Sequence, residues 1–170
     1  MTIKIIGAIC ILAGCGVMGF RIAAEHRKEV AILRDIAKSI QYMICELQYQ
    51  MTPLPELCVR TAGQACGVVE RIFRQLSREL DSQVSPDVYR CMNAAIEKSS
   101  ALTKQSKVIL QMLGQGLGRF NLSGQIKSLE SVGKECNRVL EETTKDQTVR
   151  LRNYQTLGIC AGAALVILFI

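Results

Sequence analysis

The chain has 170 residues, enough for one domain, with no tryptophan, 5% aromatic residues and three prolines, which argues against a sandwich or barrel and for helices built from Leu, Ile, Val, Ala and Met. Its formal charge of +6 comes from 21 Lys and Arg dispersed among 15 Asp and Glu. With few aromatics and no recognition signature, that dispersion argues against nucleic acid as a partner.

Residues 5 to 20, IIGAICILAGCGVMGF, are uncharged, and Ile22, Ala23 and Ala24 prolong the run past Arg21. As a helix bounded by Lys4 and Arg21, the segment just crosses about 30 Å of hydrocarbon. A cleaved secretory signal is the alternative. However, Lys4 is the only charge ahead of the run and no small-residue cleavage motif precedes a secreted body. Residues 1–24 are therefore expected to be a retained N-terminal transmembrane helix.

Apolar residues then recur at Val30, Leu33, Ala37, Ile40, Ile44, Leu47 and Met51, in steps of three and four, with Ile32, Ile36 and Met43 widening the face. The pattern predicts a helix continuous with the anchor, with coiled-coil character, buried against several neighbours. Thr52-Pro53-Leu54-Pro55-Glu56 interrupts it. Thr52 is expected to cap a second helix, with Pro53 at its first position, Pro55 still in its first turn, and Leu54 and Leu57 packing inward.

Gly67 marks a boundary before a third helix whose face holds Val69, Ile72, Phe73, Leu76 and Leu80. Ser85-Pro86-Asp87 opens a fourth by the same capping logic, with Asp87 favourable at the positive helix end. Thr103 is expected to cap a fifth helix containing Val108, Ile109, Met112, Leu113 and Leu117. The stretch GQGLGR, with Gly114, Gly116 and Gly118, is not a phosphate loop, because no strand precedes it and it lacks a lysine followed by Ser or Thr. Close helix packing or a C-cap accounts for it. Leu122, Ile126, Leu129, Val132, Cys136, Val139 and Leu140 form the stripe of a last long helix.

Beyond Glu141 the polar run TTKDQTVRLRNY reads as an exposed helical stalk or as a contact surface for another subunit. Leu157 to Ile170 is apolar to the last residue, and from Tyr154 the segment meets the low end of a spanning length. Residues 153–170 are expected to be a C-terminal transmembrane helix, with a buried terminal helix of a soluble protein as the alternative. Gly158 and Gly162 form GxxxG, which fits a membrane-helix packing face or simply a loosely packed tail anchor. Arg21, Arg27 and Lys28 follow the first apolar segment, and Lys145, Arg150 and Arg152 precede the second. The positive-inside rule thus places the helical bundle, residues 25–152, in the cytoplasm. Arg21, Arg27, Arg150 and Arg152 are candidates for lipid-headgroup contact.

The fold class expected is therefore all-α, a membrane-anchored helical bundle with hydrophobic helices at both ends. The eight cysteines and one histidine, His26, include no CxxC pair and no zinc-like cluster. No metal, cofactor or disulfide scaffold is expected. Cys10, Cys15 and Cys160 fall in the apolar ends, while Cys45, Cys58, Cys66, Cys91 and Cys136 read as small hydrophobes of a reduced protein. No base and nucleophile share a recognisable spacing, so no catalytic residue is assigned.

The order of these features resembles the stage III sporulation protein AB family and, through it, the cytoplasmic domain of type II secretion F-type inner-membrane platform proteins. The resemblance spans essentially the full chain. It rests on the anchor leading into a long helix, on Thr52-Pro53-Leu54, on Leu113-Gly114-Gln115-Gly116-Leu117-Gly118 followed by Leu122-Ser123-Gly124-Gln125, and on Leu157-Gly158 entering the apolar tail. Members often carry an acidic residue where this chain has Asn121, so an obligatory ionic site is not assigned there, although Asn can cap the final helix.

The resemblance implies a component of a channel-like complex between mother cell and forespore, in the mother-cell membrane around the forespore, supporting late forespore gene expression. The implied partners are other membrane subunits of a stage III complex, a cytoplasmic secretion-type ATPase, membrane lipids and further copies of the chain. A noncatalytic platform is expected, with interaction or helix-corner residues Thr52, Pro53, Leu54, Gly114, Gly118, Asn121 and Gln125. The alternatives are a lipid-contacting adaptor unrelated to secretion and a membrane-bound enzyme.

Overall fold

The computed structural model describes the backbone of residues 2–82, 87–99, 101–119 and 121–169, and the side chains of 25, 27–82, 87–99, 101–119 and 121–145. Six helices, with no strand among the described residues, make the all-α class: α1 (Thr2–Tyr49), α2 (Leu54–Gln64), α3 (Gly67–Asp81), α4 (Val88–Glu97), α5 (Lys104–Gly116) and α6 (Leu122–Phe169). Residues 29–141 form one compact unit, and 1–28 with 142–170 form another. Among the described residues no helix is long and apolar enough to cross a membrane. The side chains on which the two expected spans depend, Arg21, Arg150, Arg152, Gly158 and Gly162 among them, lie outside the described residues, as do His26, Cys10, Cys15, Cys160, Ser85 and Pro86.

In the 29–141 unit, α1 carries neither Gly nor Pro, and its three- and four-residue steps bury Val30, Leu33, Ile36, Ile40, Met43, Ile44 and Leu47. Each such side chain contributes roughly 1.5–3 kcal/mol on leaving water. α6 lies against this helix. The Cys136 thiol donates to the Leu33 carbonyl at 3.5 Å, and a Cβ added at Gly133 would lie 3.4 Å from Ile40 Cγ2. Leu129, Val132, Cys136 and Val139 are the buried residues of the α6 stripe.

The α2–α3 link is only Ala65 and Cys66, and α1 braces it. The Asp35 carboxylate accepts from the Cys66 N–H at 2.9 Å. Gly67 then takes φ +59°, a left-handed conformation that costs glycine little. α3 buries Val69, Ile72, Phe73 and Leu76. Its Glu79 receives Lys98, the C-cap of α4, at 3.0 Å and Gln75 at 2.6 Å. Those two bonds hold the Glu79 carboxyl below its ordinary value. Asp87 caps α4 by accepting from the Tyr89 N–H, and Thr103 caps α5 by accepting from the Ser106 N–H.

Four sequence expectations differ from the structure. α1 ends before Met51, which is 71% exposed instead of continuing the apolar face. Thr52 does not cap α2. Pro53 occupies the cap position without a side-chain bond, and the Thr52 hydroxyl turns to a carboxylate of α1. α5 ends at Gly116, so Leu117 is its C-cap and not a helical residue, while the buried face runs through Ile109, Leu110 and Leu113, with Val108 51% exposed. Cys45 and Cys66 are exposed and not core hydrophobes, whereas Cys58, Cys91 and Cys136 are buried.

Candidate functional site

The first corner of the chain joins α1 to α2. After the Gln50 N–H closes the last turn on the Glu46 carbonyl at 2.9 Å, Met51 takes φ +50°, which costs an L-residue roughly 1–2 kcal/mol. Pro53, at φ −56° and ψ 146°, accepts from the Leu57 N–H at 2.8 Å and starts α2. The turn is fixed from inside by Glu46, only 8% exposed. Its carboxylate accepts from the Tyr42 hydroxyl at 3.0 Å, the Thr52 hydroxyl at 3.0 Å and the Arg60 guanidinium at 3.2 Å. Arg60 also donates to Gln50 and Glu56, each at 2.8 Å.

Donors from α1, the link and α2 thus converge on one buried charge, which offsets the loss of its hydration. Burial first, then the hydrogen bond and charge of Glu46, push the Tyr42 phenol above its ordinary value. The hydrogen bond and charge of Glu56 raise Arg60, with a smaller contribution from Glu46. Glu46, Tyr42 and Arg60 are absent from the residues singled out by sequence. A signal existed: Glu46 stands between Ile44 and Leu47 on the buried side of α1, where a carboxylate demands partners.

The second corner, between α5 and α6, is shaped by missing side chains. A Cβ at Gly114 would lie 2.8 Å from Met92 Cβ of α4, and one at Gly116 would collide with the Ser128 hydroxyl of α6. Gly118 combines φ +76° with a virtual Cβ 2.8 Å from Val88 Cγ2. Asn121 then caps α6, its side-chain oxygen accepting from the Gly124 N–H at 3.0 Å.

The fold brings the two corners together. Leu54 lies 3.7 Å from the virtual Cβ of Gly118, and a surface cavity of about 350 Å³ is lined by Leu47, Met51, Thr52, Leu54, Leu122 and Gln125. Of the residues singled out by sequence, Thr52, Leu54 and Gln125 therefore share one wall, and Gly118 abuts it. Gly114 serves the α4–α5 contact instead, Asn121 is a helix cap, and Pro53 sets the turn. Met51 of that lining and Tyr49, the last residue of α1, are the most exposed large apolar side chains at this corner, at 71% and 84%.

A lining of aliphatic chains, one hydroxyl committed to Glu46 and one amide suits the reception of an apolar side chain. Nucleophilic chemistry has no support in the core: burial pushes the Cys58 thiol up to about 12 and that of Cys136 up to about 11, so both stay protonated at neutral pH. Among the described residues no group of three His, Cys, Asp or Glu side chains is arranged to hold a metal.

Short helices strung between two long ones in chain order, with two chain corners meeting at a surface cavity, define an all-α helical bundle. Residues 4–170 match the family model described as Stage III sporulation protein AB, and the chain belongs to that family. A curated relative, Stage III sporulation protein AB of Bacillus subtilis (strain 168), is 22% identical over 168 residues, covering 98% of each chain. A solved structure of a Stage III sporulation protein AB superposes with a TM-score of 0.63 at 20% identity, covering 72% of this chain and 98% of that one. The likeness to that structure is one of fold.

Proposed function

We propose that the chain is a noncatalytic platform or assembly component of a stage III sporulation complex, and that the joined corners are where a partner docks. The observation that carries the proposal is the mainly apolar cavity lined by Leu47, Met51, Leu54 and Leu122, with Thr52 and Gln125 as its polar members. Its walls come from segments far apart in sequence but braced by Glu46 and by the Gly118 contact. The family match supports the sporulation setting. The partners proposed are other membrane subunits of that complex, with a cytoplasmic secretion-type ATPase as a further one.

The uncharged run 5–20 and the apolar 157–170 support membrane anchoring at both ends, with the middle of the chain on the cytoplasmic side and the protein in the mother-cell membrane around the forespore. Arg21, Arg27, Arg150 and Arg152 would then meet lipid headgroups, and Gly158 with Gly162 would pack against a membrane helix.

Two measurements test this function. Alkaline extraction should leave the full chain in the membrane, with the middle segment cut by protease only after the cytoplasmic side is opened. Tyr49→Asp, at an exposed site, should preserve abundance and helicity while lowering spore yield. Release by alkali, or an undiminished spore yield, contradicts the proposal.

A further inference from the structure

Between Val30 and Leu47, α1 is exposed at Ala31, Arg34, Lys38, Gln41 and Cys45 and nowhere else, and Gln48 continues the row. The steps are three, four, three, four and three, a heptad repeat on the outer side of a helix otherwise engaged all round. At about 100° per residue, Leu33 and Ile40, which meet α6, lie on one flank of the row. Asp35, which meets the α2–α3 link, lies on the other. The row is therefore the exposed strip of α1 between its two neighbours, about 25 Å long at 1.5 Å per residue.

Its charge is uncompensated. Arg74 and Arg138 pair with Glu70 and Glu135 along their own helices, whereas among the described residues Arg34 and Lys38 join no ion pair or hydrogen bond. The nearby carboxylates of α1 are turned away, Asp35 to the Cys66 N–H and Glu46 into the corner.

We propose that this row seats a partner's helix of about 17 residues, in heptad register, with a carboxylate pair at i and i+4 opposite Arg34 and Lys38 and small or amide side chains opposite Ala31, Gln41, Cys45 and Gln48. A second copy fits less well. Antiparallel self-pairing sets Arg34 against Cys45 and Lys38 against Gln41, gathering four cations with no carboxylate in the row. Anionic lipid would engage only the cationic half. The inference rests on the platform function but names a face distinct from the corner cavity and the chemistry of its occupant.

The test places a photoreactive residue at Gln41 of the full chain in sporulating cells, with Val108 as an exposed control and Tyr49 reporting on the corner. The expected result is a Gln41 adduct that maps to an acidic helical segment of another subunit. Arg34→Glu with Lys38→Glu should lower its yield about tenfold at unchanged abundance, and lysines replacing the partner's carboxylates should restore it. Should the double reversal reduce abundance, Arg34→Gln with Lys38→Gln provides the same contrast. An adduct to a second copy or to lipid, or a yield indifferent to charge, overturns the proposal. Adducts from Tyr49 but none from Gln41 overturn it while leaving the platform function standing; none from either position contradicts both.

Discussion

The two corners that meet at the cavity are held by opposite means. At α1–α2 the chain adds polar side chains: three donors close on Glu46, and the turn tolerates a left-handed Met51 because the network outweighs its strain. At α5–α6 the chain removes side chains, so that Gly114, Gly116 and Gly118 let backbones approach Met92, Ser128 and Val88. A corner held by hydrogen bonds responds to chemistry such as ionisation. A corner held by close packing responds to volume alone.

The largest effect should come from adding volume at the second corner. Gly118→Ala meets both a left-handed backbone and the Val88 methyl and is expected to cost about 2–4 kcal/mol in denaturant unfolding. Combined with Val88→Ala it should be less than additive by about 1 kcal/mol; strict additivity would mean the contact is not what fixes the turn. Glu46→Ala should cost about 2–3 kcal/mol, from the loss of hydrogen bonds to a charged group. Met51→Gly should do the reverse. Relief of the left-handed penalty, less the entropy of glycine in the unfolded chain, leaves about 0.5 kcal/mol of stabilisation, visible as a higher Tm.

The smallest expected effect is an alkaline one confined to the first corner. The Tyr42 phenol is held above its ordinary value of 10, so the stability it contributes is fully present below pH 10. That contribution is lost as pH rises through the folded value, because the unfolded chain releases the proton first. Tyr42→Phe should remove this slope from the pH dependence of unfolding and delete a late step from the phenolate absorbance titration. Gly118→Ala should leave the slope in place. An unchanged slope in Tyr42→Phe would break the contrast between the corners.

Much of the bundle was legible because its signals are local. The steps of three and four in α1, α3 and α6, and the caps at Thr103 and Asn121, depend on residues within a turn of one another. Thr52 shows the limit. Its neighbours made it a helix cap by local preference, but a buried carboxylate one turn and a half back on α1 offered its hydroxyl a stronger partner. The meeting of Leu54 with Gly118, and so the cavity itself, was not legible, because it depends on how helices distant in sequence close on one another.

The account depends most on the two corners acting as one docking surface. Its most direct test is photocrosslinking of the full chain in sporulating cells from Tyr49 at the first corner and, separately, from Arg119 at the second, with each adduct mapped by mass spectrometry. The account predicts that both positions capture the same subunit through one contiguous segment, and that Leu54→Ala weakens both. Capture of different proteins from the two positions, or of a partner from one alone, would contradict it.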